Sequence, residues 1–310
     1  MSKEGGQSMI AEQESITAKL CAFTRAWHSN KSKHKVFDDY LAYDLMGKDE
    51  YENIQQYIQE AILKQLFGDY EDEIKNVEEV IKEYIAPIVL SRIYFTESLL
   101  TTFAEENGPI QYVICGAGYD TFSWRNTNED ITIFEIDHPD TQRYKMKKIE
   151  ELEWNIPNNV HFVSVDFEKE IMVSKLYEAG FNPHQKTFFS ILGVSYYLTL
   201  PVFTATLKQI AELSQKGSVL AFDYPIKDLG DSVRVKKLEA LTALLGEVMQ
   251  GGFEYSEISR ALYSLGFQMD TYLIPEKVQA HYFKGHPEGL RAFENVSLVS
   301  ATYTGGYAYE

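Results

Sequence analysis

Two short apolar runs, each ending in residues suited to a nucleotide, carry the strongest chemical signal in this chain. Gln111-Tyr-Val-Ile-Cys115 leads into Gly116-Ala-Gly-Tyr-Asp120, and Ile133-Phe-Glu-Ile136 is closed by Asp137. Small residues in the first turn let a ligand come against the backbone. A carboxylate ending the next strand can accept hydrogen bonds from two sugar hydroxyls. Asp137 stands some twenty positions beyond Gly116, the offset such a pair requires. The pattern predicts a site for an adenosine-containing cofactor on Gly116, Ala117, Gly118 and Asp137. A dinucleotide fingerprint would need a third Gly or Ala to seat a helix against pyrophosphate, and Thr121 stands there instead. Asp120 adds negative charge where the pyrophosphate would lie, which points to a ligand carrying ammonium or sulfonium.

The elements that must position these residues fall into two parts. From about 12 to 106 the chain reads as helical, with Ile54, Tyr57, Ile58, Ala61, Ile62 and Leu66 at three- and four-residue steps. Pro87 marks a bend or fresh start. From Gln111 onwards β-rich runs alternate with helices. Strands are predicted near 112–115, 132–136, 161–165, 188–192, 218–222, 267–273 and 296–302, and helices near 140–152, 169–179, 202–213 and 255–264. This alternation predicts an α/β fold, a parallel sheet with helices on both faces.

Val113-Ile-Cys-Gly-Ala-Gly-Tyr-Asp-Thr-Phe-Ser-Trp-Arg125, Phe134-Glu-Ile-Asp-His-Pro139 and Val165-Asp-Phe167 resemble segments of S-adenosylmethionine-dependent O-methyltransferases. The branch contains the leucine carboxyl methyltransferases and the O-methyltransferases of tetracenomycin-type polyketide synthesis. The likeness runs on through Gly193-Val-Ser-Tyr-Tyr-Leu198, Ala221-Phe-Asp-Tyr224 and Arg92. It implies a Rossmann-like, seven-stranded class I methyltransferase core over 108–310 and a helical cap or lid over 1–107. The implied cofactor is S-adenosyl-L-methionine. The implied reaction is methyl transfer to a hydroxyl or carboxylate of a small-molecule acceptor such as a polyketide-like natural product. Carboxyl methylation of a protein C-terminus and a non-catalytic binding protein are the alternatives.

By the same resemblance Arg92 pairs with the methionine carboxylate, a bidentate role that suits a guanidinium. Asp137 holds the ribose, with Glu135 the weaker choice, and Asp166 with Phe167 meets the adenine. Asp166 could equally cap the helix that follows. One departure stands out. The family's fourth strand ends in glutamate-glycine-valine, with the glutamate near the methionine ammonium, whereas this chain has Leu192-Gly-Val194. Recognition of the ammonium then falls to a backbone carbonyl, Ser190, Ser195 or Asp120, or cofactor affinity is weakened or lost. Tyr196, Tyr197 and His138 lie nearest the acceptor, but a packing or capping role suits each, and no catalytic base is assigned. The histidine spacings and the family both imply no metal.

Composition narrows the rest. The 310 residues carry a net charge of −17 from 29 basic and 46 acidic side chains, a field that opposes nucleic acid and anionic membranes. No apolar run reaches the length of a membrane span, and the N-terminus lacks the order of a signal peptide, so a cytoplasmic location is expected. Cys21 and Cys115 are too few for a disulfide framework. Oligomeric state is not encoded in any feature of this kind.

Overall fold

The computed structural model describes residues 15–68, 74–166, 170–227, 232–250 and 252–305. Phe167 therefore lies outside the described residues. Helices come first. α1 (Ile16–Lys31) begins where the Ser15 hydroxyl accepts the Ala18 amide, a cap that stabilises by about 1 kcal/mol. Short segments follow: α2 (Ala42–Met46), α3 (Lys48–Tyr57), α4 (Leu63–Leu66) and α5 (Val77–Val80). The 22-residue α6 (Ala86–Asn107) carries Pro87 in its first turn, where a missing amide costs no helical bond.

Strands then alternate with helices. β1 (Ile110–Cys115) is followed by α7 (Phe122–Arg125), β2 (Ile131–Asp137), α8 (Pro139–Glu151) and β3 (Val160–Ser164). Next come α9 (Met172–Glu178), β4 (Thr187–Ile191), α10 (Leu200–Leu213), β5 (Val219–Pro225), α11 (Val233–Leu244) and α12 (Tyr255–Ser264). The chain ends in β6 (Phe267–Leu273), α13 (Pro275–Val278) and β7 (Val296–Tyr303).

All seven strands form one sheet in the order β3-β2-β1-β4-β5-β7-β6. The expected all-parallel sheet is corrected at one edge: β7 inserts between β5 and β6 and runs antiparallel to both. Alternation along each strand divides the interior in two. Tyr112 and Ile114 pack with α1 and α6, whereas Val113 and Cys115 pack with α9 and α10 on the other face. Both faces are covered, and β1 is buried along its whole length. Two helices differ from expectation. α9 starts at Met172 after an extended Ile171, the expected start at Lys169 lying outside the described residues, and α11 was not predicted at all.

The helical region is tied to the turn after β1 by one buried carboxylate. Asp39 is fully buried. It takes Arg25 Nε of α1 at 2.8 Å and the Thr121 hydroxyl at 2.5 Å. Arg25 also donates to the Tyr119 carbonyl at 2.6 Å. Arg125 Nε bonds Thr121 Oγ1 at 2.8 Å, and its Nη1 and Nη2 reach Glu97 of α6 at 2.9 and 2.5 Å. Burial alone would raise the Asp39 pKa, but Arg25, Arg125 and the Thr121 hydroxyl hold it below the ordinary value. His28 fixes the segment that delivers this carboxylate, its Nε2 accepting the Val36 amide at 2.9 Å. Burial lowers the imidazole pKa from 6.5 to about 4.

Asp39→Asn leaves Arg25 and Arg125 short of their shared counter-charge, and removal of one partner from such a set costs about 3–5 kcal/mol. Urea unfolding should show a loss of that size; a loss below about 1 kcal/mol would mean that the network is not a structural anchor. His28 gives a pH prediction. Its folded pKa lies below the unfolded one, so the neutral ring's contribution is present above pH 6.5 and is lost as pH falls toward 4. Wild type should lose up to about 2–3 kcal/mol across that window relative to His28→Gln, which keeps an acceptor but does not titrate. Parallel stability curves for the two proteins would contradict this.

Candidate active site

Strand order reverses between β1 and β4, and in open α/β sheets the crevice at such a switch point receives the ligand. A cavity of about 300 Å³ opens there, and Arg92, Gly116, Gly118, Asp137 and His138 share its wall with residues of α1, α6 and α11. The turn after β1 is shaped by glycine. Gly116 sits at φ 80°, and a Cβ on it would lie 2.6 Å from Val194 Cγ2. The Gly116 and Ala117 amides both donate to the Ile136 carbonyl, at 2.8 and 3.0 Å, which holds the turn against β2.

That contact sets the position of Asp137. Its Oδ2 accepts the Gly118 amide, and its Oδ1 accepts the His138 amide at 2.7 Å. Burial raises the carboxyl pKa while the two amides oppose the rise. Each oxygen keeps acceptor capacity for a further donor, so the group is oriented to take two hydroxyls. Glu135 is absent from the wall. It is buried on Lys145 Nζ and the Ser123 hydroxyl, each at 2.5 Å, and its role is structural.

The polar wall continues at Arg92, which reaches in from α6. Its Nη1 lies 3.3 Å from Asp223 Oδ2, and its Nη2 donates to Cys21 Sγ at 3.3 Å. Asp223, fully buried on β5, also accepts the Gly193 amide at 2.7 Å and the Tyr196 hydroxyl at 2.8 Å. Burial alone would lower the Arg92 pKa, but Asp223 carries it upward, so the guanidinium stays charged. Gly193, at φ 72°, is required because a Cβ there would meet the guanidinium at 2.6 Å. Sequence reasoning did not single out Asp223; its signal was a lone acid within the apolar run Val219–Tyr224.

Leu192 lines the cavity without a charge, and the three side chains expected to stand in for a carboxylate are engaged elsewhere. The Ser190 hydroxyl is 3.0 Å from that of Tyr112, and Ser195 donates to the Asp223 carbonyl at 2.7 Å. Asp120 Oδ1 accepts the Phe122 amide at 2.6 Å in the turn into α7, and Asp120 is not among the residues that line the cavity. Besides Asp137, the acid that lines the cavity among the described residues is Glu247, beyond α11, which no motif singles out.

The remaining expected residues divide. Ala117 packs into the core beside the cavity. Asp166 lies outside the wall, 3.8 Å from His138 Nε2; it does not cap α9, whose N-cap is Ile171. His138 caps α8 through Nδ1, which accepts the Asp140 amide at 3.3 Å. In the neutral ring that bond assigns the proton to Nε2, so the imidazole presents a donor toward Asp166. Tyr196 and Tyr197 line the cavity, and burial followed by a neighbouring carboxylate (Asp223 for one, Glu247 for the other) pushes both phenols above their ordinary value. Neither is suited to take a proton.

These residues fit an adenosyl ligand with an amino-acid end: Asp137 to hold the ribose, the glycine turn to admit it, and Arg92 to face a carboxylate. Comparison with known proteins identifies the family. A model of the leucine carboxyl methyltransferase family matches residues 18–211. A Bacillus subtilis (strain 168) protein, provisionally named S-adenosyl-L-methionine-dependent methyltransferase YktD, is 33% identical over 306 residues, covering 94% of this chain and 99% of that one. The crystal structure of a DUF574 family protein from Streptomyces avermitilis shares the fold, with a TM-score of 0.56 at 12% identity over 78% of this chain and 95% of that chain. The chain belongs to the leucine carboxyl methyltransferase family and is an S-adenosylmethionine-dependent methyltransferase.

Proposed function

We propose that this methyltransferase modifies an oxygen, hydroxyl or carboxylate, of a small and largely apolar acceptor such as a polyketide-like natural product, with the helices of 1–107 forming the cap over the site. The observation that carries the reading is the continuity of the cavity. Its polar end at Gly116, Asp137 and Arg92 opens without interruption into a chamber walled by Leu20, Ile88, Val89, Leu238, Leu241 and Leu245. An apolar chamber favours an apolar acceptor and excludes water, which would otherwise solvate the acceptor oxygen. When bound, S-adenosylmethionine supplies an electrophilic methyl group. The protein's part is to hold the two reactants in line.

The acid-base chemistry of the wall favours a carboxylate as the simpler acceptor. Tyr196 donates to Asp223, Tyr197 is held protonated by burial, and His138 is fixed as a cap. A carboxylate reaches the site already ionised at neutral pH and needs no base, whereas most hydroxyls would need one.

Two measurements test this. Calorimetry with S-adenosylhomocysteine should show binding that Asp137→Ala weakens by more than about a hundredfold, as expected when two hydrogen bonds to a charged group are lost. An unchanged affinity would remove Asp137 from the ribose. Incubation with methyl-labelled cofactor and a panel of apolar phenols, alcohols, carboxylic acids and amines should label an oxygen. Label released by mild alkali identifies an ester and alkali-stable label an ether; label confined to the amines would overturn the O-transfer reading.

A further inference from the structure

Of the charged groups in the cavity wall, Arg92 faces a protein counter-charge, while the carboxylates of Asp137 and Glu247 are held by neutral donors. Arg92 is set against Asp223, and Asp137 is held by two backbone amides. Glu247 lines the same cavity, near Thr17 and Tyr197. Its Oε1 accepts the Ser15 hydroxyl at 2.8 Å and the Thr17 amide at 3.4 Å. Among the described residues no cation pairs with it and nothing donates to its Oε2. The carboxylate is thus fixed in place by neutral donors while its charge is left to the cavity. Tyr197 feels the field of Glu247 and that of Arg92, which places one negative and one positive group around the same ring.

We propose that Glu247 is an ammonium-binding group, set with Arg92 to recognise a ligand that carries both a primary amine and an anionic group. A neutral ligand filling the cavity would strip water from the Glu247 carboxylate and return nothing for it, whereas an ammonium restores the lost solvation as a charge-assisted hydrogen bond. Rests of this kind exclude the wrong partner as much as they attract the right one. Leu192 leaves the end of β4 without an acid, and Glu247, from a segment some fifty residues later, brings a carboxylate to the wall of the same cavity. The amine has two sources: the amino-acid end of the cofactor, which rests on the function proposed above, or an aminated acceptor.

The test uses Glu247→Gln, whose amide oxygen still accepts from Ser15 and Thr17, so an unchanged melting temperature confirms that α1 stays in place. Calorimetry compares S-adenosylhomocysteine with its analogue lacking the α-amino group. If the cofactor supplies the amine, the substitution weakens S-adenosylhomocysteine by about tenfold to a hundredfold and leaves the deaminated analogue unaffected. If the acceptor supplies it, S-adenosylhomocysteine affinity is unchanged, but wild type prefers 8-aminooctanoate to octanoate and the variant does not. The aminooctanoate arm is run with and without S-adenosylhomocysteine, so a protein that fails to bind the nucleotide refutes the function reading and still decides the role of Glu247. The proposal is overturned if the substitution alters neither nucleotide affinity nor amine preference, or if it lowers kcat alone.

Discussion

The constraint on which the rest of this molecule depends is the burial of Asp39 between two arginines. Arg25 comes from α1, Arg125 from α7, and Thr121 from the end of the glycine loop itself. No one of these elements can shift without exposing a charge to an apolar interior. Exchange of such a set for apolar residues can be neutral or stabilising, so its value here lies in geometry. It fixes where the helical region meets the loop, and through the Arg25 contact to the Tyr119 carbonyl it fixes the loop's path. Gly118 and Asp137 meet one residue away, so the Asp137 carboxylate is oriented by the same anchorage.

A second buried acid does the same for the other strand of the crevice. Asp223 on β5 binds the Gly193 amide after β4, the Tyr196 hydroxyl and Arg92 of α6. It thus links three elements around the guanidinium. The two acids sit on either side of the switch point, one ordering the turn after β1 and the other the turn after β4. Between them the cavity wall combines three glycines, Gly116, Gly118 and Gly193, with mostly apolar side chains and few ionisable groups.

The sheet was legible in the sequence because alternation of apolar residues is a local signal. Every predicted strand is present, and the glycine turn after β1 and the acid that closes β2 were found by their spacing. The antiparallel β7 was not legible, since the direction of a strand depends on the path of the connection before it, here through α13. Thr121 was read as a missing glycine; its positive role, donating to Asp39, needs a residue 82 positions away. Asp120 was read as a charge facing the ligand because sequence gives the type of a side chain but not its direction, and a local amide claimed it first. Glu247 could not be found for the converse reason. It lies in a segment without motif, beyond a helix that the apolar pattern did not announce, and only the fold carries it to the cavity.

The distribution of acids also bears on the chemistry. A site that used a general base would need a group with a pKa near the working pH within reach of the acceptor. Burial instead pushes the Tyr196 and Tyr197 phenols up, and hydrogen bonds commit His138 and Asp223 to structure. What the wall offers is position and dryness. For an acceptor oxygen that is already negative, a dry chamber strengthens its attraction to a sulfonium centre and removes the water that would compete for it. The same dryness penalises any uncompensated charge, so the cavity accepts a ligand whose positive and negative ends meet Glu247 and Arg92 and whose remainder is apolar. The selectivity of the site then follows from electrostatic matching inside an apolar enclosure, with no proton transfer asked of the protein.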